Sequence, residues 1–325
     1  MPARSPLAPQ SPAHDLIEPE GVDALLCHRS FQAMNTNVQV FIREGGFAPL
    51  LAAAQEAFQR EEARLSRFRP DSELSRFNAR TTDRFPVSPE MLRVIELAQR
   101  FCRLTQGLFE PAVLANLEAA GYDRSFELIA AAADTPTGAR LAEARGSVLD
   151  LRLGPSDLTV EGPPGLRIDL GGIGKGYTVD RTAEVLARAR DFLVNAGGDI
   201  YASGRGPDGD GWLVAIADHF DPAVDIAQLW LRDEALATST VAVRRWQRAG
   251  RWQNHLIDPR TGAPVDSGSV SVSVIARTAV EADVFAKTAL LLGPDEGRRF
   301  LESRRLPGLF ALSDGRVRAT RDWPE

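Results

Sequence analysis

The chain has 325 residues, 44% of them hydrophobic, enough to bury a real core and to exclude disorder as its default state. A net charge of -6 gives no general attraction to phosphate backbones or anionic lipid, so nucleic acid and membrane surfaces are not expected partners and any phosphate recognition must be local. Cys27 and Cys102 are the only cysteines, stand far apart outside any Cys-x-x-Cys pair, and read as ordinary thiols.

Residues 1–22 are rich in Pro, Ser and Ala without an apolar run fit for a signal sequence, and are expected to be a disordered leader to one domain over 23–325. Charges interrupt every later apolar stretch before the ~18 residues of a membrane helix, and a cytoplasmic location is expected. Of 38 basic residues only Lys175 and Lys287 are lysines. Lys carries a compact charge on a thin stem and fits where the planar fork of Arg would clash, so these two positions stand out.

In chain order, residues 31–42 alternate as a strand, with Val38, Val40 and Ile42 on one face. A helix is expected over 49–65, a turn at 70–73 and a short helical piece after Ser72. Ser88 and Pro89 mark a helix start, although Met91 takes the place of the capping-box acid. That helix runs to about Thr105, with Cys102 on its apolar stripe and Gly107 beyond its end. Three antiparallel strands are expected at 148–153, 158–160 and 166–170, then a glycine-rich loop, a helix over 177–190 and a strand at 192–194. Further strands fall at 212–216, 226–231 and 270–275, and a last helix at 279–292. Strand meanders with separate long helices argue for an α+β domain with antiparallel sheets packed on long helices, not a doubly wound parallel sheet.

The strongest local feature is Asp169-Leu170-Gly171-Gly172-Ile173-Gly174-Lys175-Gly176-Tyr177, between a strand and a helix. Its glycines admit close backbone approach, the helix start offers free N–H groups and Lys175 adds a cation, which together suit a phosphate. It matches neither the Walker loop nor the dinucleotide fingerprint, and a plain tight turn is the alternative. Asn195-Ala196-Gly197-Gly198-Asp199 follows the next strand and either faces the first loop or ends the strand. Ala237-Thr238-Ser239-Thr240 offers hydroxyls to a ligand or closes a strand. Among four histidines only His255 is set among plausible partners, as a general base or as a structural imidazole. Asp283 and Lys287, four apart, share one face of the last helix, and their apolar neighbours point to a partly buried pair.

Taken in order, these stretches resemble the ApbE family of FAD:protein FMN transferases. The resemblance runs through Ala33-Met34-Asn35-Thr36, Phe68 to Asn78, Gly107-Leu108-Phe109-Glu110-Pro111, Asp169 to Asp180, the Asn195 turn, Ala237-Thr238-Ser239, His255 to Gly262 and Ala282-Asp283. It implies a single ApbE-type, T-fold-like domain that binds FAD beside a magnesium ion and passes FMN to a Thr or Ser of a target protein, releasing AMP. By position it places Met34, Phe68, Leu108, Phe109, Glu110, Asp169, Lys175, Thr238 and Ile257 at the FAD site. His255 becomes the base, and Asp283 with the carbonyl of Gly172 approaches the metal.

Four departures stand out. Phe68 replaces the usual Tyr, Glu110 the usual Asp and Thr240 a usual Gly. Lys287 holds the position of a magnesium-binding Thr, which suggests that its ammonium takes the ion's place and joins Asp283 and His255 in the catalytic group. A flavin-binding protein without transfer and an FAD pyrophosphatase are the alternatives.

Overall fold

A computed structural model describes residues 26–43, 48–130, 146–221, 223–248 and 250–324; the expected leader lies outside these residues. Its frame is an eight-stranded antiparallel sheet ordered Leu26–Ala33, Thr36–Arg43, Phe192–Ala196, Asp199–Ser203, Glu234–Thr240, Ser269–Ala276, Gly308–Leu312 and Val317–Ala319. The strand expected over 31–42 is therefore two strands. Met34 and Asn35, at φ 51° and 60°, form the two-residue turn between them, a geometry whose twist matches a hairpin and which Asn tolerates better than most residues.

Period-two alternation sends neighbouring residues to opposite faces of this sheet. Val194, Ala235 and Ala237 pack with the helices Ala48–Leu65, Gly174–Leu186 and Ala279–Glu302. Leu193 and Leu236 turn the other way, toward the hairpin Trp212–Ala217 with Asp225–Leu231. The helix Pro89–Leu104 and a small sheet of Arg84–Pro86, Thr159–Glu161 and Arg152–Gly154 enclose a further core, in which Cys102 is buried. Both cysteines are free, and burial beside the Glu110 carboxylate pushes the Cys102 thiol up to about 12.

Local chemistry explains where elements start and stop. Ser88 caps its helix by accepting from Met91 N at 3.1 Å. The acid that Met91 cannot supply comes from Glu73, whose carboxylate accepts from Ser88 N at 2.5 Å and Ser88 Oγ at 2.7 Å. Residues 166–170 are not a strand. Asn78 meets Ile168 instead, its Nδ2 donating to the carbonyl at 2.8 Å and its Oδ1 accepting from the amide at 2.9 Å, as a neighbouring strand would. The last helix kinks at Gly293, φ 80°, one residue past the expected stop, and resumes after Pro294. Among the described residues no helix is long and apolar enough to cross a membrane.

Candidate active site

Two helices deliver the two lysines to one place. The glycine loop tightens as Leu170 O accepts from Ile173 N at 3.1 Å and from Gly174 N at 2.7 Å, so the helix starts at Gly174 and not at Tyr177. Lys175 thus lies in the first helical turn, and its ammonium pairs with the fully buried carboxylate of Asp199. Gly197 and Gly198, at φ 63° and 96°, make the turn that puts Asp199 there, with Gly198 N donating to Asn195 Oδ1 at 2.9 Å. The two glycine motifs do face each other.

The second lysine arrives on the helix Ala279–Glu302, where Asp283 is buried and its carboxylate pairs with the Lys287 ammonium one turn later. Asp180, on the helix of Lys175, locks the start of this second helix by accepting from Ala279 N at 2.7 Å and Val280 N at 3.0 Å. Gly176 makes the crossing possible, since a Cβ there would stand 2.7 Å from Ala279 O. The pairs also interact with each other. Burial pushes the Asp199 carboxyl up and the charge of Asp283 adds to this, while Lys175 and Lys287 pull it back. One oxygen of each carboxylate, Asp199 Oδ1 and Asp283 Oδ2, is buried without a partner among the described residues.

Gly172 belongs to the same cluster. The Lys287 stem runs beside it, Cδ and Cε each 3.7 Å from the position of a Cβ at Gly172, and Phe109 Cε2 lies 3.1 Å from that position. From here the cleft opens in two directions that share Gly171, Arg244, His255 and Lys287. One arm is walled by Phe68, Leu108, Phe109, Tyr122 and Ile257, with Asp169, Gly172 and Glu110 along it. The other holds Lys175, Thr238, Thr240 and Asp283, with Asn35 and Thr36 at its side.

His255 sits where the arms meet. Its Nδ1 is buried with no partner among the described residues. Burial holds the imidazole well below its ordinary value, and the charges of Arg244, Lys287 and Lys175 add to the effect, with the Arg244 backbone acting the other way as an acceptor. The ring is neutral near pH 7 and able to take a proton.

One expected residue lies outside the cleft, and three that line it are engaged by the protein itself. Met34 occupies the hairpin turn and packs against two core clusters, outside both arms. Glu110 borders the aromatic arm, but its carboxylate is engaged in holding the chain, accepting from Ala112 N at 2.9 Å, Val148 N at 2.8 Å and Ser147 Oγ at 2.5 Å. Thr238 spans to Ser273 with 2.8 Å between hydroxyls. Asp169 serves its own loop by accepting from Gly171 N at 3.2 Å, and pairs with Arg67 Nε at 3.0 Å.

Arg67, Tyr122 and Arg244 are lining residues that the sequence did not single out. The Arg67 guanidinium lies 4.1 Å from the Phe68 ring centre and 4.5 Å from that of Tyr122. Its neighbour Phe68 was the sole pointer to it. Tyr122 contacts Phe68 and Trp246 from far along the chain, and Arg244 is one arginine among many.

An aromatic arm joined to a lysine-lined glycine loop has the lining and charge to suit a large, phosphate-bearing aromatic ligand, with an imidazole at the junction. The ApbE family profile matches residues 34–312, and the chain belongs to that family. It is 31% identical to the FAD:protein FMN transferase of Vibrio cholerae serotype O1, over 88% of this chain and 87% of the relative. The Treponema pallidum protein of that name is 33% identical, over 84% and 80%. Among solved structures, the flavin transferase ApbE from Vibrio cholerae superposes with a TM-score of 0.78 at 27% identity, covering 92% of this chain and 98% of that one. The ApbE protein of Thermotoga maritima gives 0.81 at 25% identity, covering 91% and 97%.

Proposed function

We infer that the protein is an FAD:protein FMN transferase, and the observation that carries this reading is the neutral His255 at the junction of an aromatic arm with two lysine–carboxylate pairs. The aromatic arm suits a flavin ring system, whose faces prefer stacked or edge contacts with Phe68, Phe109 and Tyr122. The glycine loop and lysines suit the pyrophosphate. An acceptor Thr or Ser hydroxyl gives its proton to His255, and its oxygen bonds to the phosphorus on the riboflavin side. The bond from that phosphorus to the bridging oxygen breaks, and AMP leaves with the electron pair. Lys175, Lys287 and Arg244 are the cations at hand for the charge that builds on the phosphate oxygens.

Magnesium, which the family resemblance implies, does not fit the residues present. The ion demands a near-octahedral oxygen shell at about 2.0–2.1 Å. Here Asp283 already holds an ammonium, and the stem of Lys287 fills the space beside Gly172. Asp283 Oδ2 is buried without a partner among the described residues and is left to accept from one further donor. No step is therefore routed through a metal, and its charge is assigned to Lys287.

The test is incubation with FAD and a Thr-bearing acceptor, with and without Mg²⁺. Labelling of the acceptor with FMN, independent of chelator and lost in His255→Ala, supports the reading. Release of free FMN with no labelled acceptor contradicts it.

A further inference from the structure

Between Glu234 and Asp258 the chain carries four arginines, Arg244, Arg245, Arg248 and Arg251, and no acidic residue, within a protein of net charge -6. Three of them lie on a two-stranded ribbon, Arg245–Arg248 paired with Arg251–Asn254. We propose that this ribbon is the docking element for the acceptor protein and that it grips an acidic segment next to the hydroxyl to be modified. The proposal rests on the transferase reading and names the partner chemistry of the same site.

The ribbon is fastened to the cleft. Arg245 pairs with Asn254, so the residues just outside that pair, Arg244 and His255, stand together at its base, and both line the two arms. Trp246 anchors one face, buried among Leu117, Tyr122 and Ile257, with its indole donating to Ala120 O at 3.0 Å. Gly121, at φ 98°, lets this contact close, because a Cβ there would stand 3.2 Å from Trp246 Nε1. The position of the ribbon and that of His255 are thus mechanically one.

The opposite face is left to a partner. Directly paired residues share a face, which puts Arg245, Gln247 and Trp252 together on the side away from Trp246. Trp252 is 48% exposed and the Arg245 guanidinium lies 4.4 Å from its ring centre. Arg251, paired with Arg248 and therefore on the Trp246 side of the ribbon, is exposed near its tip. Among the described residues neither Arg245 nor Arg251 pairs with a carboxylate, so both guanidinium groups are available to an acidic partner. An exposed Trp stacked on one arginine, with a second exposed arginine at the ribbon tip, is the composition of an interface anchor. An extended polyanion would also meet the negative charge on the rest of the molecule, while a short acidic segment meets only the ribbon.

Binding is measured without FAD, so that docking is scored apart from transfer. The probes are a fluorescein-labelled peptide with one Thr flanked by Asp and Glu, its Lys-flanked counterpart, a single-stranded oligonucleotide and phosphatidylserine vesicles. The expected result is saturable, salt-sensitive binding of the acidic peptide alone. Its Kd rises about tenfold in Arg245→Ala/Arg251→Ala and recovers in Arg245→Lys/Arg251→Lys, with FAD affinity the same in all three proteins. Equal binding of the two peptides, no binding of either, preference for oligonucleotide or vesicles, or an unchanged Kd in the alanine variant would overturn the proposal. Acidic-peptide binding with no FMN transfer on adding FAD would count against the transferase reading and leave docking standing.

Discussion

Lys287 and Asp283 stand one turn apart on the same helix, ammonium against carboxylate, with Gly172 beside the lysine stem. The Asp283 side chain is 2% exposed and that of Lys287 14%, so the pair is largely out of water.

Breaking a buried pair by removing one partner leaves an uncompensated charge, at a cost of about 3–5 kcal/mol, toward the lower end here because Lys287 keeps some solvent. Lys287→Met is expected to lower stability by about 3 kcal/mol in urea unfolding and to weaken FAD binding. Lys287→Thr is expected to bind FAD more tightly when Mg²⁺ is added, while the parent protein binds FAD equally with Mg²⁺ or chelator. Isothermal titration with FAD reads both effects.

Proton acceptance by His255 sets the acid limb of activity. Its imidazole is held well below the ordinary 6.5, so it stays neutral as pH falls through that value. The rate is expected to hold through pH 6.5 and to fall only below it, once the ring becomes charged. A pH profile of acceptor labelling checks this, and a limb centred at or above 6.5 would assign the proton to another group.

Asp180 ties the helix bearing Lys175 to the helix bearing Asp283 and Lys287, and burial raises its carboxyl to about 6 against an ordinary 3.8. Between these values the folded protein holds a proton that the unfolded chain has released. Stability from this group therefore rises as pH falls through about 6 and levels off below 3.8. Asp180→Asn, which cannot titrate, is expected to lose ground to the parent protein between pH 7 and pH 5 in urea unfolding. A stability gap that does not change with pH would contradict this.

Gly176→Ala places a methyl 2.7 Å from Ala279 O and 2.8 Å from Val280 Cα, both backbone atoms. Separating the helices is expected to cost about 1–3 kcal/mol, the usual range for overpacking. The same movement shifts Lys175 relative to Lys287, so a fall in FAD affinity should accompany the lower thermal midpoint.

Much of this was legible in the sequence where the signal is local. Apolar periodicity located the helices Ala48–Leu65 and Pro89–Leu104, and the four-residue spacing of Asp283 and Lys287 forecast their pairing. The strands Asp199–Ser203, Glu234–Thr240 and Gly308–Leu312 were only partly seen or missed, because their register depends on partners far along the chain. Residues 166–170 alternate like a strand, but Asn78 satisfies the Ile168 backbone and no strand partner is needed. The site divides in the same way. Lys175 and His255 lie in compact motifs, whereas Tyr122 reaches the cleft through contacts with Phe68 and Trp246 that no spacing rule encodes.

The most direct test of the whole account is a count of AMP against acceptor-bound FMN during incubation with FAD and a Thr-bearing acceptor. The account expects one AMP for each FMN attached, the modified Thr or Ser identified by mass spectrometry, and neither product from His255→Ala, which still binds FAD. AMP released with free FMN and an unmodified acceptor, or full labelling by His255→Ala, would contradict it.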